Sequence, residues 1–180
     1  TILAAVEQGR VIYENIRKVV LYLLTDSFSE VILIAVSLFA TVIDPSFPIP
    51  LLAAQILWIN LVTDGFPNIA LTVEPEEAEI MKEPPRDPKE SLFTNEMKWL
   101  VGVVSVVSAM LGLSIFLLTW HTDGDLSLAR TATFAALGVD SLVYVFSVRV
   151  LRHSVLHVNP FANRSLLLAV LGGILLQLAA

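Results

Sequence analysis

No cysteine occurs in this sequence, which removes any disulfide framework or thiolate site and any inference about redox compartment. Soft metals that seek sulfur ligands are disfavoured in consequence, and hard, oxygen-seeking cations remain. Charge is scarce too: 16% of the residues are charged, against about a quarter in a soluble domain. Hydrophobic residues make up 56% of the chain and its mean hydropathy is +0.76, so lipid is the solvent for most of it. The formal net charge of −6 comes partly from acids inside apolar segments, where they cannot act as a solvated surface field, and no nucleic-acid partner is read from it. The chain starts at Thr1 without an initiator Met, and no basic run leads into a short apolar core with a small-residue cleavage site. No signal peptide is visible, and the chain reads as the interior of a longer protein.

What the sequence does hold is five apolar stretches, at 19 to 43, 51 to 73, 98 to 119, 128 to 149 and 161 to 180. Each approaches the roughly 20 residues that a helix needs to cross the hydrocarbon; the last is short and contains Gly172 and Gly173. The expected fold is all-α, a polytopic transmembrane bundle of about five spanning helices, with residues 1–18 as a more polar helical stalk. Cytoplasmic connections hold an excess of Lys and Arg, and the bias alternates here. Arg10, Arg17 and Lys18 precede the first span, the turn from Asp44 to Pro50 has no basic residue, and the loop at 74–98 carries Lys82, Arg86, Lys89 and Lys98. His121 to Leu128 again has none, and Arg149, Arg152 and Arg164 mark a third basic connection. The expectation is an integral, multi-pass membrane protein with its N-terminus in the cytoplasm and its C-terminus at the opposite face.

Ionisable side chains inside spans cost about 2.5 to 3.5 kcal/mol each on insertion scales, so they need a reason. The first span holds Asp26, Ser27 and Glu30, spaced to share one helical face; the second holds Asn60, Thr63 and Asp64, again on one face; the fourth holds Asp140. A hard cation such as Ca²⁺ takes six to eight oxygens from just such groups, and no Lys or Arg is expected to be buried among the acids to neutralise them. Gly65 and Pro67 directly follow Asp64. Proline removes a helical hydrogen bond, which predicts loosening near Val62 to Gly65, and broken helices at mid-membrane recur at transporter ion sites. Plainer readings stand beside these. Asp140 alone suits a helix-pairing role with a neighbouring Ser or Tyr, Asp26 suits a position facing Lys18 and water, and Pro84 to Pro88 suits either a stiff loop or a docking element. Ser105, Ser108 and Ser114, with Gly102 and Gly112, read as close-packing residues. His121, His153 and His157 are too scattered for a metal site.

The string from Thr1 to Tyr13 leading into Asn15-Ile16-Arg17-Lys18, and then Gln55 to Pro67, closely resembles the C-terminal membrane half of P-type cation ATPases, the calcium pumps above all. The resemblance covers the whole chain, residues 1–180, as the fifth to ninth of ten membrane helices. It implies that Glu30, Asn60, Thr63, Asp64 and Asp140 occupy ion-ligand positions, and that the loop at 74–98 contacts the phosphorylation domain. Three positions depart from the calcium pumps, which have Asn at Ser27, Glu at Asp140 and a hydroxyl at Asp26. The reading is an ATP-driven pump that exports Ca²⁺ with proton countertransport; a Na⁺, H⁺ or Mn²⁺ pump, a secondary transporter or channel, and a non-catalytic helical scaffold are the alternatives. ATP and Mg²⁺ would belong to parent domains outside this chain, which is therefore not expected to be catalytic alone. Its expected partners are the lipid bilayer, the phosphorylation domain and the remaining membrane helices.

Overall fold

The computed structural model describes residues 2–75, 80–82, 91–150 and 162–180. The run Pro84 to Pro88, most of the basic loop around it, and Arg152, His153 and His157 lie outside the described residues. The polar lead-in and the first apolar stretch form one unbroken helix, α1 (Ile2–Ile43). At 42 residues and about 1.5 Å per residue it is roughly 63 Å long, twice the hydrocarbon thickness. The second apolar stretch is not one helix but three pieces: α2 (Ala53–Trp58), a π-helical segment (Ile59–Thr63) and α3 (Gly65–Leu71). A 3₁₀ turn at Ile80–Lys82 precedes α4 (Asn95–Asp123), α5 (Leu126–Val148) and α6 (Arg164–Ala179). By length and hydropathy α1, α4 and α5 can cross a membrane, whereas α6 is a shorter apolar helix, in keeping with the short fifth stretch of the sequence.

The helix ends follow from local chemistry. Asp125 caps α5 by accepting from the N–H groups of Ser127 and Leu128 at 2.8 and 3.3 Å, and Asn163 caps α6 by accepting from Leu166 N–H at 2.9 Å. Between α4 and α5 the chain reverses at Gly124, whose φ of +67° closes α4 with an N–H bond to the Trp120 carbonyl at 3.0 Å. Nothing lies within 4 Å of a Cβ added there, so Gly124→Ala carries only the left-handed backbone cost. That cost is about 1 kcal/mol, and a modest shortening of the detergent-solubilised protein's half-life at fixed temperature is expected. At the α1–α2 connection the hydroxyl and N–H of Ser46 both donate to Asp44 Oδ1, at 2.6 and 2.9 Å, and hold that exposed carboxyl below the ordinary aspartate range.

The exterior is apolar, with Phe39, Val42, Ile43 and Leu178 each more than 70% exposed, as a lipid-facing surface requires. Inside are two apolar clusters. One joins Leu21, Tyr22, Leu71, Met97 and Val145; the other joins Leu33, Ile59, Ala109, Phe134 and Leu137. On α1, on the broken helix and on α5, the polar residues Asp26, Glu30, Asp64 and Ser141 fall between the two. α4 lies along α1 and α5: Ser105 donates to the Thr25 carbonyl at 2.8 Å, and a Cβ at Gly112 would meet Leu137 at 3.2 Å. Ser108 is buried, whereas Gly102 and Ser114 are exposed and do not act in close packing.

Basic residues are buried in this fold, Arg149 in a second polar cluster that holds Glu74 and none of Asp26, Glu30 and Asp64. Lys18 and Arg149 are 1% and 3% exposed. Arg149 Nε donates to Glu74 Oε1 at 2.8 Å, Asn163 Nδ2 to Glu74 Oε2 at 2.6 Å, and Asn15 Nδ2 to the Glu74 carbonyl at 3.0 Å. The arrangement ties α1, the segment after α3, the end of α5 and the start of α6 together. The apolar stems of Lys and Arg tolerate such burial, and a fully hydrogen-bonded carboxylate offsets the desolvation of the guanidinium.

Candidate cation site

The face that sequence spacing assigns to Asp26 and Glu30 on α1 does turn inward: both are buried, while Ser27 is half-buried. Asp26 does not face Lys18. Its Oδ2 accepts from Ser141 Oγ on α5 at 3.1 Å, and the same hydroxyl lies 2.6 Å from Asp64 Oδ1 and 2.5 Å from Tyr22 Oη. Three helices thus meet at Ser141, which joins two carboxylates from different segments. One turn further along α1, Glu30 Oε2 accepts from Asn60 Nδ2 at 2.5 Å. The other carboxylate oxygen, Glu30 Oε1, is buried with no hydrogen-bond partner.

The chain between Asn60 and Asp64 is loosened, though the loosening starts at Ile59, earlier than Pro67 alone predicts. Asp64 N–H reaches back five residues to the Ile59 carbonyl at 2.9 Å, the wider turn of a π-helix. Pro67 offers no N–H to the carbonyl of Thr63, four residues before it. π turns of this kind concentrate at functional sites, and here the turn holds Asn60 and Thr63 and ends at Asp64. Thr63 is fully buried, and its Oγ1 donates to Gln177 Oε1 on α6 at 3.2 Å. The five candidates Asp26, Glu30, Asn60, Thr63 and Asp64 therefore stand on adjoining turns of α1 and the broken helix. Asp140 and Ser27 are only half-buried and have no place in these hydrogen bonds.

Two participants escaped the sequence reading. Ser141 sits one residue past the more conspicuous Asp140. Its signal was its place on the buried stripe of α5, with Phe134, Leu137, Gly138 and Val145. Gln177, near the end of α6, is the other; an amide in so apolar a helix was its signal.

Among the described residues no three carboxylate, imidazole or thiol side chains converge to hold a metal by themselves. Two pairs, each containing a carboxylate, lie on adjoining turns with amide and hydroxyl oxygens beside them, the donor types that hard cations accept. The orphaned Glu30 Oε1 is the feature that fits such a cargo, because a buried carboxylate oxygen normally has a donor or a cation beside it.

The family described as cation transporting ATPase, C-terminus, matches residues 48–180. The calcium-transporting ATPase of Bacillus subtilis (strain 168) is 41% identical over 186 residues, covering 99% of this chain and 19% of that protein. The probable cation-transporting ATPase F of Mycobacterium tuberculosis is 37% identical, and the human calcium-transporting ATPase type 2C member 1 is 34% identical; in each the match covers 99% of this chain and 19% of the relative. The chain spans about a fifth of the length of these relatives.

Proposed function

The chain belongs to the cation-transporting ATPases, as their C-terminal membrane region, and on that basis we propose that it supplies the intramembrane cation ligands of an ATP-driven pump exporting Ca²⁺. The observation that carries this reading is the buried, unpartnered oxygen of Glu30 beside Asn60, one turn from the carboxylates of Asp26 and Asp64. Glu30, Asn60, Thr63, Asp64 and Asp26 are the ligands proposed for the cargo; Ser27 and Asp140 contribute through water or at an access path. A divalent cation is favoured over Na⁺ and H⁺ by the number of carboxylates, and Ca²⁺ over Mn²⁺ by the printed names of the calcium-transporting relatives. The N-terminal end of α1 and the loop at 74–98 face the cytoplasm in this reading, supported by their basic residues, and the loop contacts the phosphorylation domain.

Proton countertransport follows from the same residues. Carboxylates left in low dielectric without a cation or a basic partner take up protons, and a divalent cation displaces them. Apparent Ca²⁺ affinity therefore rises with pH, because each bound cation releases protons to the medium. The test is one titration of the purified full-length pump in weakly buffered detergent between about pH 6 and 8, with Ca²⁺, Na⁺ or Mn²⁺ added separately. The expected result is phosphoenzyme formation from ATP and proton release with Ca²⁺ at the lowest concentration. Phosphorylation that responds to Na⁺ and not to Ca²⁺ reassigns the cargo, and Ca²⁺ binding without proton release removes countertransport through these carboxylates.

A further inference from the structure

Buried hydroxyls in this bundle mostly donate to their own helix. Thr25 donates to the Leu21 carbonyl, Ser37 to Leu33 and Thr133 to Ala129, all at 2.7 to 2.8 Å. Thr63 does not. Its hydroxyl proton leaves the helix and goes to Gln177 Oε1 on α6. A hydroxyl has one proton and two lone pairs, so a threonine that ligates a cation must send its proton elsewhere, or the proton points at the cation. Gln177 is itself held in place. Its Nε2 donates to the Phe134 carbonyl on α5 at 3.3 Å, which fixes which end of the amide faces Thr63. Gly138 makes room for it, since a Cβ there would stand 2.8 Å from Gln177 Nε2 and 2.9 Å from Cδ.

We propose that Gln177 is a positioning residue of the cation site, accepting the Thr63 hydroxyl proton so that both Thr63 lone pairs stay available to the cargo. The inference rests on the proposed ligand role of Thr63, and it brings α6, which contributes no ligand, into the selectivity of the site. Gly138 belongs to the same device, because its missing side chain is the space that the amide occupies.

The experiment is a Ca²⁺ titration of phosphoenzyme formation from ATP, in the full-length pump, for Gln177→Met, Gly138→Ala, Thr63→Val and the double variant Thr63→Val/Gln177→Met. Methionine keeps the length of glutamine and removes the strong acceptor. Gln177→Met is expected to raise the half-saturating Ca²⁺ concentration about fivefold, the equilibrium equivalent of one ordinary hydrogen bond, with maximal phosphoenzyme unchanged. Gly138→Ala reaches the same result from the neighbouring helix by pushing the amide aside, and serves if the methionine variant does not accumulate. In the Thr63→Val background Gln177→Met adds nothing, which separates positioning from packing. Weakened Ca²⁺ dependence in Thr63→Val with normal dependence in both Gln177→Met and Gly138→Ala overturns this inference alone. Normal dependence in Thr63→Val removes Thr63 as a ligand and the inference with it, and equal losses from Gln177→Met with and without Thr63 make α6 a packing helix only.

Discussion

Replacing Asp64 by asparagine is expected to abolish Ca²⁺-dependent phosphorylation from ATP in the full-length pump while leaving phosphorylation from inorganic phosphate intact. Asparagine has the shape of aspartate and can still accept from Ser141 through its amide oxygen, so the contact at 2.6 Å and the packing around it survive. What disappears is a negative charge in a low-dielectric interior, where attraction to a dication is far stronger than in water. A rise of more than about 100-fold in half-saturating Ca²⁺, about 2.7 kcal/mol, takes the site beyond usable concentrations. The resemblance to P-type pumps implies that the reaction with inorganic phosphate needs empty sites, so it reports a folded pump. Retention of normal Ca²⁺ dependence in Asp64→Asn removes Asp64 from the ligand set. Ser27→Ala is the contrast: half-buried and outside the network, that hydroxyl can be replaced by water, and its loss has a small effect.

The second large effect is on stability. Glu74→Ala removes the acceptor for Arg149 Nε and for Asn163 Nδ2 together, and breaking one side of a buried ion pair costs about 3 to 5 kcal/mol. Membrane pumps unfold irreversibly, so the measurement is the half-life of the detergent-solubilised full-length protein at fixed temperature. A large shortening is expected for Glu74→Ala and a smaller one for Glu74→Gln, which keeps one oxygen acceptor. The double variant Glu74→Ala/Arg149→Met is expected to lose less than the sum of its parts, since the guanidinium left behind accounts for much of the single variant's loss. Additive losses would show that the pair at 2.8 Å contributes little.

How legible these features are from sequence depends on whether the signal is local. The spans are written in hydropathy, and α1, α4 and α5 follow the apolar runs closely. The interruption after Asn60 is written in Pro67, although a proline reports only the bond it removes and not the π turn beginning at Ile59. The faces of α1 are legible because Asp26 and Glu30 stand four apart. The rotation of α5 is not legible, because lipid is as apolar as a helix interior and its two sides carry similar residues. Asp140 drew the reading by its charge, whereas the structure turns Ser141 inward. Arg149 and Asn163 lie 75 and 89 residues from Glu74, and no local pattern joins them to it.

The π segment acts on the second apolar stretch as a phase shifter. Each residue advances an α-helix by about 100°, and the turn closing on Ile59 contains one residue more than an α-turn does, so α3 emerges rotated relative to the continuation of α2. Deleting a single residue within it, Val62 for instance, would close the π turn to an α-turn with every side chain of α3 chemically intact. It would also swing Asp64 by that same angle about the axis defined by Asn60, off the face that meets Ser141. In this strip of the chain the count of residues carries as much of the site as their identities do.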